Sequence, residues 1–231
     1  MIPEGGMMKI FCTSDIHGRF GYLQKIIDFV NSRYDIDVVI FAGDIVKDYK
    51  WSNLLELAQH QMNDYKRFKS MIMKISNRRV YYIRGNHDVF TPDEGDMNFL
   101  PNAYKAGIET YFIPFEKMSI QFYQIDRECT ELELGVYLKD IVMGGKYVVA
   151  HQPIFGILDE GYSGHNFGSL AIRKKIVADE PRLFICGHVH ENFGIKKLNK
   201  TTVINCACMK GAVRGVIFDT SSNSYAEVVL N

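Results

Sequence analysis

The sequence lacks an excess of either charge, and it lacks any long apolar run. Its 231 residues include 27 lysines and arginines and 27 aspartates and glutamates, so the formal net charge is zero. Dedicated nucleic-acid-binding proteins usually carry a basic excess, and this balance does not favour nucleic acid as a partner. No apolar stretch approaches the roughly 20 residues that cross a bilayer as a helix, so we expect no membrane partner.

Cysteine is also scarce, and the five thiols of the chain belong to Cys12, Cys129, Cys186, Cys206 and Cys208. Most of them lie in apolar runs that are typical of strands, where a thiol behaves as a small hydrophobic group. The pair Cys206 and Cys208 has no second Cys or His pair that would complete a zinc knuckle. An odd number of such cysteines argues against a disulfide framework and predicts reduced thiols in a cytoplasmic protein.

The chain shows no internal repeat, low-complexity tract or linker, so we expect one domain over residues 1–231. Residues 1–8 lack the charged and apolar regions of a secretory signal, and we expect them to form a flexible leader. Helical periodicity is present over residues 19–32, in a longer stretch that Ser52 would cap, and in a segment that begins at Ser169. A hairpin is predicted within residues 107–125, and period-two patterning from Phe193 onward predicts a closing β-meander. The expected class is α/β, with two sheets packed together and helices outside.

Five short apolar runs end directly before residue types that bind metal ions. The segments that follow these runs are Ser14-Asp15-Ile16-His17, Gly43-Asp44, Gly85-Asn86-His87-Asp88, His151 and Gly187-His188-Val189-His190. In open α/β sheets, binding sites form outside the carboxyl ends of the strands. The five predicted strand ends are therefore expected to converge on one metal site.

The candidate ligands are oxygen and imidazole donors without a thiolate, namely Asp15, His17, Asp44, Asn86, His151, His188 and His190. This mixture suits manganese, iron, zinc, nickel or cobalt better than calcium or magnesium. Seven donors exceed what one tetrahedral ion requires, and they fit two ions that share a carboxylate. The expected cofactors are therefore two divalent transition-metal ions, whose charge favours a phosphate ester as substrate.

In this order the motifs resemble those of the calcineurin-like metallophosphoesterase superfamily, from Asp15 through to His190. The resemblance implies a metallophosphoesterase-type sandwich of two facing mixed β-sheets flanked by helices, with the strands after Phe193 in the second sheet. One ion would be held by Asp15, His17 and His190. The other ion would be held by Asn86, His151 and His188, with Asp44 bridging the two. His87 would protonate or electrostatically assist the leaving oxygen, and Asp88 would orient its imidazole.

The chain departs from the protein Ser/Thr phosphatases of this superfamily at three places. Those enzymes carry an Arg-bearing extension after the bridging Asp, a Glu after Gly-Asn-His, and Gly-Gly after the strand-end His. This chain has Ile45-Val46-Lys47-Asp48, Asp88 and Gln152-Pro153 there. The His-x-Pro form is similar to the branch that contains small phosphodiesterases, including cyclic-nucleotide enzymes. We therefore expect hydrolysis of small or nucleotide-type phosphodiesters by a metal-activated hydroxide, with a small phosphoester as the binding partner.

Several alternatives stay open on the sequence alone. A nuclease of the same superfamily would have a basic stripe leading to the site, and a phosphomonoesterase would prefer monoesters. A non-catalytic scaffold would have degraded ligand positions, whereas here every position is filled and His87 is present. The loop at residues 161–168, with His165, is either a mobile lip over the site or a surface loop before a capped helix. Metal identity and oligomeric state have no signal in the pattern.

Overall fold

The computed structural model describes residues 8–50, 53–90, 103–105, 120–122 and 130–230. Its strands are β1 Lys9–Thr13, β2 Val38–Ala42, β3 Arg79–Ile83, β4 Ala103–Lys105, β5 Ile120–Phe122, β6 Tyr147–Val149, β7 Leu183–Cys186, β8 Gly194–Leu198, β9 Thr201–Asn205, β10 Val213–Asp219 and β11 Ser224–Leu230. Its helices are α1 Phe20–Ser32, α2 Leu54–Ile72, α3 Glu131–Leu138 and α4 Leu170–Asp179.

The strands form two mixed sheets that face each other. The first sheet has the order β11-β10-β1-β2-β3-β4, in which β1 to β4 run parallel. The second has the order β5-β6-β7-β9-β8, in which only β8 runs antiparallel to its neighbour. Between them lies an apolar layer in which Ile10 and Ile40 of the first sheet share a cluster with Val149 and Ile185 of the second. The predicted sandwich of two facing mixed sheets is confirmed.

Helices cover the outer faces of both sheets because strand side chains alternate in direction. In β2, Val38, Ile40 and Ala42 enter the layer between the sheets. Val39 and Phe41 point the other way and share a cluster with residues of α1 and α2. Helices α3 and α4 cover the second sheet in the same manner. Both faces of the central strands are therefore buried, which explains their unbroken apolar runs.

The closing strands differ from the predicted β-meander. Strands β8 and β9 pair with each other at the edge of the second sheet, whereas β10 and β11 extend the first sheet beside β1. The chain therefore crosses from one sheet to the other between β9 and β10. A hairpin and a crossing between sheets produce the same period-two pattern, so the sequence could not separate them. The expectation that all strands after Phe193 lie in the second sheet is wrong for β10 and β11.

Three helices begin at residues whose side chains cap them. Ser169 caps α4 as predicted, with its side chain accepting a backbone N–H three residues later. Helix α2 is capped by Asn53 in the same way, and Ser52, the predicted cap, lies outside the described residues. Helix α3 was not predicted, although Thr130 and Glu133 form a capping box at its start.

Other predictions fall partly outside the described residues. Of the hairpin predicted within residues 107–125, only residues 120–122 are described, and they form β5, which pairs parallel with β6. Of the leader predicted at residues 1–8, Met8 is described; it is buried, and its N–H donates to the hydroxyl of Thr220. The expectation of one domain remains a prediction.

The described cysteines are all free thiols in buried positions, namely Cys12, Cys186, Cys206 and Cys208, and Cys129 lies outside the described residues. None of the helices in the described part of the chain has the length and apolar character to span a membrane. The cytoplasmic location remains a prediction.

Candidate metal centre

The candidate ligands lie on the loops that follow β1, β2, β3, β6 and β7. The first three strands belong to one sheet and the last two to the other. The site therefore lies across the carboxyl ends of both sheets, where the sequence analysis expected it. Backbone hydrogen bonds join these loops: the Asp15 N–H donates to Gly43 O at 2.9 Å, and the Gly187 N–H donates to His151 O at 3.1 Å.

Four of the seven candidate ligands have a left-handed backbone. The φ angles are 60° at Asp15, 48° at His17, 52° at Asp44 and 71° at His188. Such a conformation is uncommon for a residue with a Cβ, costs of the order of 1 kcal/mol or more, and concentrates at functional sites. These four residues lie directly after β1, β2 and β7, where the chain leaves the strands and enters the loops of the site.

The first ligand group consists of Asp15, His17 and His190, whose donor atoms all lie within 4.8 Å of one another. The Nε2 atoms of His17 and His190 are 3.2 Å apart, and His190 Nε2 lies 3.0 Å from Asp15 Oδ1. The second carboxylate oxygen of Asp15 accepts the His188 N–H at 3.0 Å. Three side chains from two strand ends thus direct their donor atoms to one point.

The second group consists of Asp44, His151 and His188, again with donor atoms within 4.8 Å of one another. His151 Nε2 lies 3.2 Å from Asp44 Oδ2, while its Nδ1 contacts the backbone oxygen of Ala42 at 2.7 Å. That contact fixes the ring and leaves Nε2 to face the centre. Asn86 joins this group, because its Oδ1 lies 3.1 Å from His151 Nε2 and 2.9 Å from His188 Nδ1.

Asp44 lies between the two groups. Its Oδ2 is 3.2 Å from His151 Nε2 in the second group and 3.7 Å from His17 Nε2 in the first. Its Oδ1 accepts the His87 N–H at 2.9 Å. The structure therefore brings all seven predicted ligands together, with Asp44 in the central position.

Glycines make this close approach of loops feasible at two strand ends. A Cβ on Gly43, where φ is 99°, would lie 2.5 Å from His151 Nδ1. A Cβ on Gly187 would overlap the side chains of Ser14 and Asp15. Any larger residue at either position would displace a ligand.

The buried carboxylates give the site a negative potential that favours the binding of cations. Burial by itself would raise the pKa of Asp44, but the charge of His151 and the hydrogen bond with it outweigh this and lower the pKa. The pKa of Asp15 is lowered in the same way, mainly by the hydrogen bond with His190 against the effect of burial. Burial would lower the pKa of His151, yet the charge of Asp44 raises it to about 10. The negative potential that holds a proton on His151 would equally attract a metal ion.

The donor set also fits transition metals by its chemistry. Carboxylate, amide oxygen and imidazole ligands without thiolate suit manganese, iron, zinc, nickel or cobalt. Burial, together with the nearby charge of His151, lowers the pKa of His188 to about 4, so its imidazole is neutral and available as a ligand at pH 7. The residues present therefore fit two ions, one at each ligand group.

His87 lies beside the two groups but its described partner is not the one the sequence analysis expected. His87 Nδ1 is 3.6 Å from the carboxylate of Asp48. The buried carboxylate of Asp88 accepts the N–H groups of Ile45 at 2.9 Å, Val46 at 2.9 Å and Gly85 at 2.8 Å. Asp88 therefore ties together the loops after β2 and β3, because these buried N–H groups require an acceptor. The expectation that Asp88 also orients the His87 imidazole stays a prediction.

Gln61 of α2 is a site residue that the sequence analysis missed. Its side chain is buried, donates from Nε2 to His87 O at 2.6 Å and accepts the Phe90 N–H at Oε1 at 2.9 Å. Helix α2 thereby fixes the backbone on which His87 lies. A glutamine on the apolar face of a predicted helix was the only available sign of this role.

A cleft of about 720 Å³ opens over the ligand groups. Arg19 and Lys47 line it on the side of His17, together with the acidic side chains of Asp48 and Glu191. One guanidinium nitrogen of Arg19, Nη1, is buried without a hydrogen-bond partner among the described residues. Phe167 also lines the cleft. The cleft is much larger than a phosphoryl group and has walls of mixed charge.

Comparisons with known proteins indicate the family of this chain. Residues 8–192 match the family profile described as Calcineurin-like phosphoesterase. The Caenorhabditis elegans protein named UPF0046 protein K07C11.7 is 24% identical over 227 residues, which covers 88% of this chain and 71% of that protein.

Two solved structures show the same fold. The protein TT1561 of Thermus thermophilus superposes with a TM-score of 0.69 at 13% identity, covering 97% of this chain and 100% of that one. GAP50, the anchor in the inner membrane complex of Plasmodium, superposes with a TM-score of 0.55 at 16% identity, covering 96% and 84%. With the profile matching most of the sequence, the chain belongs to the calcineurin-like phosphoesterase family and is a metal-dependent hydrolase of phosphoric ester bonds.

Proposed function

We propose that this chain hydrolyses small or nucleotide-type phosphodiesters at a binuclear metal centre. The observation that carries the proposal is the pair of ligand groups, each with donor atoms within 4.8 Å of one another, with Asp44 between them. The proposed ligands are Asp15, His17, Asp44, Asn86, His151, His188 and His190. When bound, two such ions would supply a water nucleophile of lowered pKa and would offset the charge on the phosphoryl oxygens.

The protein's own groups would position the ester and the leaving oxygen. His87 faces the cleft, where it is the proposed acid for the departing alcohol. Its ring centroid lies 5.2 Å from that of His17, so it is within reach of a phosphoryl group held at the ligand groups. Gln61 fixes its backbone, and the carboxylate of Asp48 lies 3.6 Å from its Nδ1.

The walls of the cleft favour a small substrate over a nucleic acid. Arg19 and Lys47 supply positive charge for an anionic ester, but Asp48 and Glu191 line the same cleft. A nuclease would need an uninterrupted basic track along a phosphate backbone. The fold by itself does not require catalysis, since GAP50 is described as an anchor. The filled ligand positions of this chain support an enzyme.

Metal stoichiometry is the first test. Purified protein saturated with manganese should retain two ions per chain, measured by elemental analysis and calorimetry. Replacing His190 by Ala should remove one ion and most of the activity, since the first group would lose a ligand. His165→Ala is the matched control, because His165 is exposed and its described ring contact is with the Ser163 hydroxyl. Binding of a single ion to the wild-type protein would refute the binuclear proposal.

The second test addresses substrate class. Activity of the manganese-loaded protein is compared on bis-p-nitrophenyl phosphate and p-nitrophenyl phosphate, then on cyclic nucleotides and a single-stranded oligonucleotide. We expect a higher kcat/KM for the diester than for the monoester and little cleavage of the oligonucleotide. A preference for the monoester would assign a phosphomonoesterase, and rapid cleavage of the oligonucleotide would assign a nuclease.

A further inference from the structure

Phe167 has an unusual position for a large apolar side chain. It is 47% exposed, yet its ring lines the cleft above the ligand groups. Its centroid lies 6.3 Å from that of the His188 ring, at an interplanar angle of 72°. An aromatic surface therefore lies next to the ligand group that contains His188.

The loop that carries Phe167 is held by a buried carboxylate. Asp159 is 2% exposed, and it accepts the N–H groups of Gly156 and Gly168 at 3.0 Å each and the side-chain amide of Asn166 at 2.8 Å. The Phe167 N–H donates to Asp159 O at 2.9 Å. The backbone of Phe167 is thus fixed on both sides, which argues against the mobile lip considered for residues 161–168.

The ring of Phe167 is held in place by packing within the loop. A Cβ on Gly161 would lie 2.6 Å from Cε2 of Phe167, so the ring packs directly against the backbone of Gly161. Further along the same loop, the Gly161 N–H donates to His165 O at 3.0 Å. The packing sets the orientation of the ring before any substrate arrives. A rigid aromatic surface loses little conformational entropy on binding.

We propose that Phe167 is a specificity-determining residue that stacks on a planar ring carried by the substrate. The preferred substrates are then phosphoesters of aryl or heteroaryl alcohols, nucleosides among them, and simple alkyl phosphoesters bind more weakly. This inference rests on the proposed function, because it takes the phosphoryl group to be held at the ligand groups beside His188. Stacking of this kind tolerates different rings, since each has a π face.

The test measures binding and does not depend on turnover. Dissociation constants of phenylphosphonate and methylphosphonate are measured by calorimetry with the manganese-loaded protein. The two ligands share the phosphonate group and differ by the ring. We expect wild type to bind phenylphosphonate about tenfold more tightly, as is typical for one stacked ring.

The variants separate stacking from general effects on the loop. Phe167→Leu keeps an apolar side chain but removes the flat face, and it should reduce the preference to about twofold or less. Phe167→Tyr should retain the preference. Tyr162→Leu is the matched control, because Tyr162 is an aromatic residue of the same loop, 84% exposed, and outside the residues that line the cleft. Each variant's manganese stoichiometry is measured to show that the site is intact.

The possible results distinguish this inference from the proposed function. A preference that persists in Phe167→Leu, or equal affinity of wild type for the two phosphonates, would overturn the stacking role alone. Failure of both phosphonates to bind the manganese-loaded protein would overturn the proposed function together with it.

A second pair of ligands, adenosine monophosphate and ribose 5-phosphate, identifies the kind of ring. These ligands share the sugar phosphate and differ by the base. Tighter binding of adenosine monophosphate that is lost in Phe167→Leu would assign nucleoside esters. Tighter binding of phenylphosphonate than of methylphosphonate, together with equal binding of adenosine monophosphate and ribose 5-phosphate, would assign small aryl esters as the substrates.

Discussion

His87 and Asp48 offer the sharpest test of how the leaving alcohol is protonated. Replacing His87 by Asn keeps a polar side chain of similar size but removes the acid. A positioned general acid contributes about 10²–10⁴-fold to the rate when the leaving group is a poor one. We therefore expect a loss of that size in kcat for an alkyl diester, and a much smaller loss for bis-p-nitrophenyl phosphate, whose leaving group departs without protonation.

The contribution of Asp48 follows from its geometry. Its carboxylate is 3.6 Å from His87 Nδ1, and the two side chains are 68% and 36% exposed. An ion pair with this exposure contributes up to about 1 kcal/mol, which corresponds to about fivefold in rate. Asp48→Asn should therefore lower kcat for the alkyl diester by no more than about fivefold, and it should have no effect in the His87→Asn background.

The assay is steady-state hydrolysis of both esters by wild type, both single variants and the double variant, at saturating manganese. Equal losses of kcat for the two esters in the His87→Asn variant would refute the role of His87 as an acid. A loss of a hundredfold or more in Asp48→Asn would show that Asp48 acts on the site by another route than this exposed contact.

Gln61→Met should lower the free energy of unfolding by about 1–3 kcal/mol, because it leaves the His87 carbonyl and the Phe90 N–H without the Gln61 side chain as partner. Urea denaturation measures this loss, and an unchanged midpoint would contradict the role of Gln61. The same variant should also lower kcat for the alkyl diester, whereas Gln61→Glu should recover only the bond from the Phe90 N–H. Ser169→Ala should lower the free energy of unfolding by about 1 kcal/mol through loss of the α4 cap and leave kcat unchanged. A clear fall in kcat would show that this cap also supports the site. Gly187→Ala should reduce manganese binding to one ion per chain or fewer, since its Cβ would displace the side chain of Asp15; retention of both ions would show that the loop adapts.

The candidate ligands could be predicted from the sequence because each follows directly after a buried strand. A strand buried on both faces has an unbroken apolar run, as in β2, and the run ends where the loop begins. Polar residues such as Asp44 and His151 at that point are therefore visible in the order of residues alone. Their convergence follows from the rule that parallel strands place their carboxyl ends together.

The partners of these residues could not be predicted in the same way. Asp88 was expected to orient its neighbour His87, whereas its carboxylate binds N–H groups of another loop, at Ile45 and Val46. Adjacency in sequence does not indicate these backbone contacts, because they join the loop after β3 to the loop after β2. Gln61 had no visible role until α2 was placed against that loop.

The sequence by itself determined the fold class, the strand ends and the residue types of the metal centre, because all three depend on local patterns of apolar and polar residues. Only the tertiary structure decided that β10 and β11 join the first sheet, that Asp48 faces His87 and that Phe167 stands over the cleft. These contacts join segments far apart in the chain. They depend on how the sheets and loops pack in space, which no local pattern records.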